Sequence, residues 1–207
     1  MISDEATVFL VDDDDAVRDA LGLLLDSAGL RTAAYPSATD FLAKYDPDRP
    51  GCLVLDIRMP AMSGMELQAA LTERSVNIPI IFLSGHGNVS MSATAFRSGA
   101  VDFLEKPFDE NVLLERIHEA IRQDRSNRET NARRATASAR LAALTRREHE
   151  VMLLIVTGHA NKEIATKLNL STRTVETHRG RIMEKTAAQS LTELIEIALA
   201  SGSHELK

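Results

Sequence analysis

The chain has 207 residues, of which 44% are hydrophobic and 26% are charged, and this composition fits one or two globular domains with their own apolar cores. No apolar run approaches the length of a membrane span, and residues 1–5 lack the basic-then-apolar pattern of a signal peptide, so we expect a cytoplasmic protein with no membrane partner. Cys52 is the only cysteine, which excludes an internal disulfide and favours a small buried hydrophobic role.

The formal net charge of -6 is an average over unlike segments. Residues 1–122 have a net charge of -10, residues 123–140 of +3, and residues 141–207 of +1. An acidic first part joined through a basic segment to a nearly neutral last part indicates two domains with different partners. We therefore predict domains at residues 6–122 and 141–207, joined by a basic connector.

Between residues 6 and 122, strand-like apolar runs alternate with segments whose apolar residues repeat at helical spacing. Five such pairs predict an α/β fold with a doubly wound, five-stranded parallel sheet. The strands are predicted at residues 7–11, 31–35, 52–55, 78–83 and 101–105, and the helices near residues 16–28, 38–45, 64–72 and 89–98 and from residue 109.

Acidic residues stand at the ends of predicted strands 1 and 3. In the flavodoxin-like strand order 2-1-3-4-5, ligands bind beyond the carboxyl ends of these two strands, where the order reverses. Asp12 and Asp13 end strand 1 and Asp56 ends strand 3, so we expect three carboxylates in one crevice. Their repulsion requires a cation, and a few hard oxygen ligands with open positions suit Mg²⁺. Asp14 and Asp15 instead fit an acidic cap on the first helix.

Strands 4 and 5 add a hydroxyl and an ammonium group at the same edge of the sheet. Ser84 ends strand 4 and Lys106 follows strand 5. Taken singly, each fits an ordinary turn or surface residue. Together with Asp56 and a divalent cation, they supply a nucleophile and positive charge around phosphoryl oxygens, which phosphoryl transfer requires. The sequence therefore predicts a phosphoryl-transfer site at this edge.

Residues 6–122 resemble the receiver domain of two-component response regulators. The matching segments are VDD at 11–13, LDIRMP at 55–60, MSG at 62–64, SGHG at 84–87 and GAVDFLEKPF at 99–108. This resemblance implies that Asp56 accepts a phosphoryl group from a sensor histidine kinase. It also implies that Asp13, Asp56 and the Arg58 carbonyl bind Mg²⁺, with Asp12 assisting through water.

The same resemblance gives roles to the residues of strands 4 and 5. Ser84 and Lys106 would contact the phosphoryl oxygens, and Phe103 would change rotamer when Ser84 moves inward. The bond between Lys106 and Pro107 becomes a candidate cis peptide. Two positions depart from the commonest family residues, with serine in place of threonine at 84 and phenylalanine in place of tyrosine at 103. Both lie within the family's range.

The connector, residues 123–140, contains no glycine or proline, and its commonest residues are arginine and alanine. The helical apolar repeat stops after Ile121, so we expect the connector to bury little surface. Its composition favours a helix continuous with the preceding one, and a flexible polar linker is the alternative. We interpret its arginines as keeping it soluble rather than as contacting DNA.

Residues 141–207 predict a small all-α domain of four short helices. Thr145 and Glu148 form a capping-box pattern ahead of an apolar run, which starts the first helix. A turn at residues 169–171 joins the second and third helices as a helix-turn-helix. The helices are expected from Thr145 to Gly158, from an Asn161 cap to Leu168, from a Ser171 cap to about Lys185, and over residues 192–200.

One face of the third helix is predicted to be free for a partner. At 100° per residue Val175 and Ile182 point inward together, and the opposite face would enter a major groove if this is the recognition helix. Gly180 on that face costs about 1 kcal/mol of helix stability relative to alanine, and is either a tolerated defect or a close backbone approach to DNA. The free face contains Arg173, Thr177, Gly180 and Glu184, flanked by Glu176 and Arg181.

Residues 141–201 resemble the LuxR-type DNA-binding domain, through LTRRE at 144–148, NKEIA at 161–165 and STRTVETHR at 171–179. The resemblance implies binding of double-stranded promoter DNA. Thr186 replaces a residue that is usually apolar in this family, so we expect a weaker junction with the last helix, where the family makes its dimer contacts. The implied base-reading residues are Glu176, Thr177 and Gly180, and the implied phosphate contacts are Lys162, Arg173, Arg179, Arg181 and Lys185.

Together the two resemblances indicate a response regulator of the NarL/FixJ family, closest to the FixJ branch. They imply a phosphorylation-controlled transcription factor that acts as a homodimer, contacts RNA polymerase, and catalyses only its own phosphorylation and dephosphorylation. One alternative is a DNA-binding regulator with a vestigial receiver. Another is a phosphatase of the haloacid dehalogenase type, which would use Asp12, followed by Asp14, and would leave Asp56 unexplained.

Overall fold

The computed structural model of the chain describes residues 6–85 and 102–202. Contacts divide the chain into two compact units, Met1–Asn127 and Arg128–Lys207. The division falls inside the predicted connector, and the boundaries at residues 122 and 140 stay a prediction. No helix in these two described stretches is both long and apolar enough to cross a membrane.

The first unit is built on a five-stranded parallel sheet with the order β2-β1-β3-β4-β5, which confirms the predicted fold class. Strand β4 begins two residues later than predicted, because Pro79 has no N–H to donate and contributes its carbonyl to Leu53 N instead, at 2.9 Å. The strands are β1 (Thr7–Val11), β2 (Arg31–Tyr35), β3 (Gly51–Asp56), β4 (Ile80–Ser84) and β5 (Asp102–Glu105).

Helices cover both faces of this sheet, which is why the central strands are apolar throughout. The helices are α1 (Asp15–Ser27), α2 (Ala38–Lys44), α3 (Gly64–Glu73) and the first part of α4 (Glu110–Ala142). Alternate strand residues face opposite sides. Phe9 and Leu53 pack with residues of α2 and α3, whereas Leu10 and Val54 pack with residues of α1 and α4. The predicted helix at 89–98 lies outside the described residues.

The amino-terminal edge of the sheet is joined to α4 by a buried carboxylate. Asp124 is 1% exposed, and its Oδ2 accepts a hydrogen bond from Gly51 N at 2.9 Å. A Cβ at position 51 would lie 1.8 Å from the Thr7 carbonyl oxygen, so only glycine fits there. The expectation that the connector buries little is therefore wrong at its first turn.

The second unit is helical, as predicted. It contains the last part of α4, then α5 (Arg146–Val156), α6 (Asn161–Leu168), α7 (Thr172–Thr186) and α8 (Leu191–Ala200). Val151, Ile164, Val175, Ile182 and Leu194 form the centre of its core.

Polar caps set the helix boundaries in this unit. Thr145 and Glu148 form the predicted capping box, and Ser171 caps α7 as predicted by accepting from Thr174 N. The sequence predicts Asn161 as the cap of α6, but Asn161 is the first helical residue, and Ala160 occupies the cap position without a side-chain hydrogen bond. Asn169 adopts the left-handed conformation, with φ of 53°, and makes the turn between α6 and α7.

The connector is helical, because α4 extends to Ala142. Residues 125–136 are exposed apart from half-buried Arg128. Ala137 and Leu141, in contrast, are buried in the core of the second unit, and Arg140 lies 3.7 Å from Glu193. The second half of the connector is thus part of the second unit. The sequence does not predict this, because few residues of the connector are hydrophobic.

Candidate functional site

The register of the sheet brings Asp12 and Asp56 to the same edge. Val11 pairs with Leu55 in neighbouring strands. Asp12 follows Val11 and Asp56 follows Leu55, so the two aspartates lie side by side. Lys106, directly after β5, donates Nζ to Asp12 Oδ2 and to Asp56 Oδ1, both at 2.8 Å. Asp12 is 1% exposed and Asp56 is 7% exposed. Three predicted site residues from β1, β3 and β5 therefore meet in direct contact.

This contact determines the electrostatics of the site. Burial raises the pKa of Asp56, and its hydrogen bond with Lys106 opposes that effect only in part. Burial disfavours the charged form of Lys106, but the hydrogen bonds with Asp12 and Asp56 prevail and raise the lysine pKa. Lys106 is thus held as a cation between two carboxylates, and both carboxylates depend on its charge.

Ser84 and Phe103 lie on the strands next to this contact. Ser84 is buried at the end of β4, and its carbonyl accepts from Lys106 N at 2.7 Å. The Lys106-Pro107 peptide bond is cis, as the resemblance implied. Phe103 stands opposite Phe82 in the pairing of β5 with β4 and packs half-buried against the core. The predicted motif residues His86 and Gly87 lie outside the described residues.

The loop after Asp56 is fixed by short-range hydrogen bonds. Arg58 N donates to Asp56 Oδ2 at 2.6 Å, and Ser63 with Glu66 forms a capping box at the start of α3. A Cβ at Gly64 would lie 2.4 Å from the Asp56 carbonyl oxygen. Position 64 therefore requires glycine, because the start of α3 packs directly against the backbone of the candidate phosphoacceptor.

A shallow cleft beside Asp56 contains the other residues expected to bind a metal ion. Asp13 and Arg58 both line it, together with Pro60 and Ser63, and Asp13 is exposed. Over residues 6–85 and 102–202, no three His, Cys, Asp or Glu side chains converge closely enough to form a metal site by themselves. A carboxylate of Asp13, the carboxylate of Asp56 and the Arg58 carbonyl are nevertheless hard oxygen donors, and this donor set fits Mg²⁺.

Arg18 was not singled out from the sequence, yet it touches the acidic pair. One of its guanidinium nitrogens donates to the Asp12 carbonyl at 2.6 Å, and the other pairs with Asp15. Its side chain is only 13% exposed. The available sequence signal is a basic residue six positions after Asp12, about one turn into a helix that starts with an acidic run.

Helix α7 presents the predicted free face in the second unit. Val175 and Ile182 are fully buried, which confirms the inward face. Half-buried Arg179 lies at the side of this helix, and Lys162 is exposed on α6. The exposed residues of α7 include Arg173, Glu176, Thr177, Gly180 and Arg181.

Lys185, predicted to contact phosphate, has a partner inside the protein. Its Nζ donates to Glu148 Oε2 at 2.7 Å, and Glu148 is 2% exposed. The hydrogen bond from Lys185, followed by that from the Thr145 backbone, lowers the pKa of Glu148 to about 2. The pair joins the start of α5 to the end of α7, a structural role that sequence reasoning missed.

The last helix presents an apolar stripe. Leu191 and Leu199 on α8 are 45% and 53% exposed, with half-buried Ile195 between them. Thr186, the last residue of α7, is fully buried, but its Oγ1 donates to the Ile182 carbonyl at 2.7 Å. The polar substitution therefore leaves no unpaired hydroxyl at the junction of α7 and α8.

Comparison with protein families assigns each part of the chain a counterpart. Residues 8–118 match the family described as the response regulator receiver domain. Residues 142–198 match the family described as bacterial regulatory proteins, luxR family.

Relatives of known sequence align over nearly the whole chain. The transcriptional regulatory protein FixJ of Rhizobium meliloti is 43% identical over 201 residues, which cover 95% of this chain and 96% of that protein. Nodulation protein W of Bradyrhizobium diazoefficiens is 41% identical over 200 residues, which cover 97% of this chain and 88% of that protein.

Solved structures of response regulators also align over nearly the whole chain. The response regulator StyR has a TM-score of 0.83 at 40% identity and covers 94% of this chain and 98% of its own. Full-length FixJ from B. japonicum has a TM-score of 0.58 at 38% identity and covers 96% of this chain and 98% of its own.

Proposed function

The chain belongs to the FixJ-like response regulators, which join a receiver domain to a LuxR-type DNA-binding domain, and on this premise we propose that Asp56 accepts a phosphoryl group from a sensor histidine kinase. As a family member the chain is a phosphorylation-controlled transcriptional regulator and not a conventional enzyme. The observation that carries the proposal is the contact of Lys106 with both Asp12 and Asp56.

In the proposed reaction, an Asp56 carboxylate oxygen forms a bond to phosphorus as the P–N bond of the kinase phosphohistidine breaks. Arg58 N orients the carboxylate by holding Oδ2 at 2.6 Å, which leaves Oδ1 as the attacking oxygen. Lys106, now on Oδ1, would shift to the incoming phosphoryl oxygens and neutralise their charge. Ser84 would contact another phosphoryl oxygen, and Phe103 would respond to its movement.

Asp13, Asp56 and the Arg58 carbonyl would hold Mg²⁺, with Asp12 acting through water. When bound, the cation supplies positive charge beside the phosphoryl oxygens. Lys106 pairs with Asp12 and Asp56 and holds them close together beforehand, so two of the carboxylates are already in place for a cation.

The haloacid dehalogenase alternative requires Asp12 as the nucleophile. Asp12 Oδ1 accepts from Asp14 N at 2.9 Å, and Oδ2 accepts from Lys106. Asp56 also accepts hydrogen bonds on both oxygens, but Asp12 is 1% exposed whereas Asp56 is 7% exposed, so Asp12 is the less accessible of the two to a phosphate ester. This geometry supports Asp56 as the acceptor.

We further propose that α7 is the recognition helix and that the protein binds promoter DNA as a homodimer. We place this binding in the cytoplasm, and we propose RNA polymerase as a further partner. A single recognition helix reads only a few base pairs, so specific binding needs two of them on half-sites about one helical turn apart. The exposed stripe of Leu191, Ile195 and Leu199 on α8 is the surface that supports such pairing.

Intact-mass analysis with a small-molecule phosphodonor and Mg²⁺ tests the acceptor directly. We expect one phosphoryl adduct on the wild-type chain and none on Asp56→Asn. An adduct that persists in Asp56→Asn and disappears in Asp12→Asn would support the phosphatase alternative. No adduct on the wild-type chain, with unchanged DNA binding, would support the vestigial receiver.

A further inference from the structure

We propose that Arg18 is a positioning residue, which holds the Asp12-Asp13 peptide in the conformation that lets Asp13 bind Mg²⁺. This inference rests on the proposed function of the Asp56 site. It adds to that function a residue outside the metal ligands and outside the groups that touch phosphate.

The contact of Arg18 is with backbone, at the peptide that joins the two acidic residues. A guanidinium nitrogen of Arg18 donates to the Asp12 carbonyl at 2.6 Å. The peptide group is planar, so fixing this oxygen fixes the direction in which the chain enters Asp13. A charged donor makes a stronger bond to a carbonyl than a neutral one, and the Arg18 side chain is 87% buried around it, since 13% is exposed.

Asp12 is already held at its other atoms. Its N–H donates to the Tyr35 carbonyl at 3.4 Å, and its carboxylate oxygens accept from Asp14 N and Lys106. Asp13, in contrast, is exposed on the cleft that it shares with Arg58. Asp14 N holds the peptide that follows Asp13, and the bond from Arg18 holds the peptide that precedes it, so Arg18 helps to set where Asp13 stands relative to Asp56.

The position of Arg18 in α1 does not suit the helix itself. It lies near the amino end, where the helix dipole favours acidic residues and disfavours cations. That end is already capped by Asp14, whose Oδ1 accepts from Ala16 N at 2.9 Å and from Val17 N at 3.4 Å. A mostly buried cation at this point is therefore explained by its bond to the Asp12 carbonyl and not by helix stability.

Loss of Arg18 should weaken metal binding without removing a ligand. Partners outside the ligand set typically change metal affinity by 10-fold to 100-fold, and because Arg18 acts through one peptide we expect Arg18→Ala to raise the Mg²⁺ dissociation constant by about 10-fold. Arg18→Lys keeps the charge but has only one donor nitrogen, so its Mg²⁺ affinity should fall between those of Arg18→Ala and wild type.

The matched control is Asp15→Ala. This change removes the surface partner of Arg18 but leaves its bond to the Asp12 carbonyl. We expect the Mg²⁺ dissociation constant of Asp15→Ala to stay within about twofold of wild type, the scale of an exposed ion pair.

Isothermal titration of the full-length variants with MgCl₂ measures the affinity, and circular dichroism melts report on folding. Phosphorylation by a small-molecule donor at saturating Mg²⁺ should be retained in Arg18→Ala, which a general loss of structure would not allow. If Arg18→Ala does not fold, the Mg²⁺ affinity of Arg18→Lys tests the positioning role. Wild-type Mg²⁺ affinity in the folded variant, with Arg18→Lys also unchanged, would overturn the positioning role. Absence of Mg²⁺ binding and of an adduct in the wild-type chain would overturn the proposed function as well.

Discussion

Lys106 and Asp56 are 50 residues apart in sequence, and their Nζ and Oδ1 atoms are 2.8 Å apart in the folded chain. The same ammonium group also lies 2.8 Å from Asp12. One side chain thus stabilises two carboxylates that would otherwise repel each other, and the stability of the first unit becomes linked to the charge of its reactive site.

Replacing Lys106 by Met should destabilise the first unit by roughly 2 kcal/mol, because two mostly buried carboxylates would lose their partner. Mg²⁺ should reduce this loss, since a ligand of the folded state alone stabilises it. Urea unfolding with and without MgCl₂ measures both effects. Lys106→Arg, which keeps the charge, is the control. Equal destabilisation in the presence and absence of Mg²⁺ would show that the cation does not replace the lysine charge.

The pair of Glu148 and Lys185 should make the second unit sensitive to acid. The pKa of Glu148 is lowered from 4.5 to about 2, so its contribution is fully present above pH 4.5 and is lost as the pH falls toward 2. We expect about 2 kcal/mol from this contribution, since Lys185 is partly exposed and solvent screens the pair.

Thermal unfolding at pH 7 and pH 3 tests that linkage. Glu148→Gln should lower the melting temperature at pH 7 and change it less at pH 3, which lies below 4.5 but still above the lowered pKa of about 2. Glu150→Gln is the control, because Glu150 pairs with Arg147 nearer the surface and should cost little at either pH. A similar loss at both pH values for Glu148→Gln would mean that packing and not charge accounts for its effect.

Gly180→Ala should stabilise the free protein and weaken its binding to DNA. A Cβ at position 180 has no atom within 4 Å in the described part of the chain, so the substitution should add about 1 kcal/mol of helix stability. If the backbone approaches DNA there, the added methyl group obstructs the complex. Fluorescence anisotropy with a selected DNA site measures the affinity.

Arg181→Ala is the contrasting variant for that measurement. It should weaken binding across sequences and flatten the dependence of log affinity on log salt by about one unit, whereas Gly180→Ala should leave that slope unchanged. Tighter or unaltered DNA binding by Gly180→Ala would make this glycine a tolerated defect.

Leu199→Glu should prevent dimer formation by placing a charge in the apolar stripe of α8. Sedimentation with a stable phosphoryl mimic should show a dimer for wild type and a monomer for this variant. Leu23→Glu is the control, because Leu23 on α1 is 73% exposed and lies in the other unit. A wild-type chain that is monomeric with and without the mimic would remove phosphorylation-driven dimerisation.

The sheet and its reactive edge could be predicted because their signals are local. Buried parallel strands appear in the sequence as apolar runs, and the polar residue that ends each run lies at the carboxyl edge of the sheet. These local signals predict that Asp12, Asp56 and Lys106 lie at the same edge. The capping box of Thr145 and Glu148 and the inward face of α7 follow equally simple patterns.

The contacts that the sequence does not predict have one physical cause. Polar and small residues that become buried produce no hydrophobic pattern in the sequence. Asp124 resembles a solvated helix residue until its bond to Gly51 N is known. Ala137 is too small to produce a recognisable apolar face in the sequence. Lys185 lies on a helix face that the sequence predicts to be exposed, but it pairs with Glu148. Each of these contacts joins distant parts of the sequence, which local periodicity does not report.

Strand β3 has a polar contact at each end. Its carboxyl end carries Asp56, and its amino end donates Gly51 N to the buried carboxylate of Asp124 on α4. Six residues in extended conformation span about 20 Å, and the pairing with β1 and β4 on either side makes the strand stiff along its axis. A displacement of β3 on modification of Asp56 would therefore be transmitted lengthwise to the turn of α4 that precedes the mostly exposed residues 125–136.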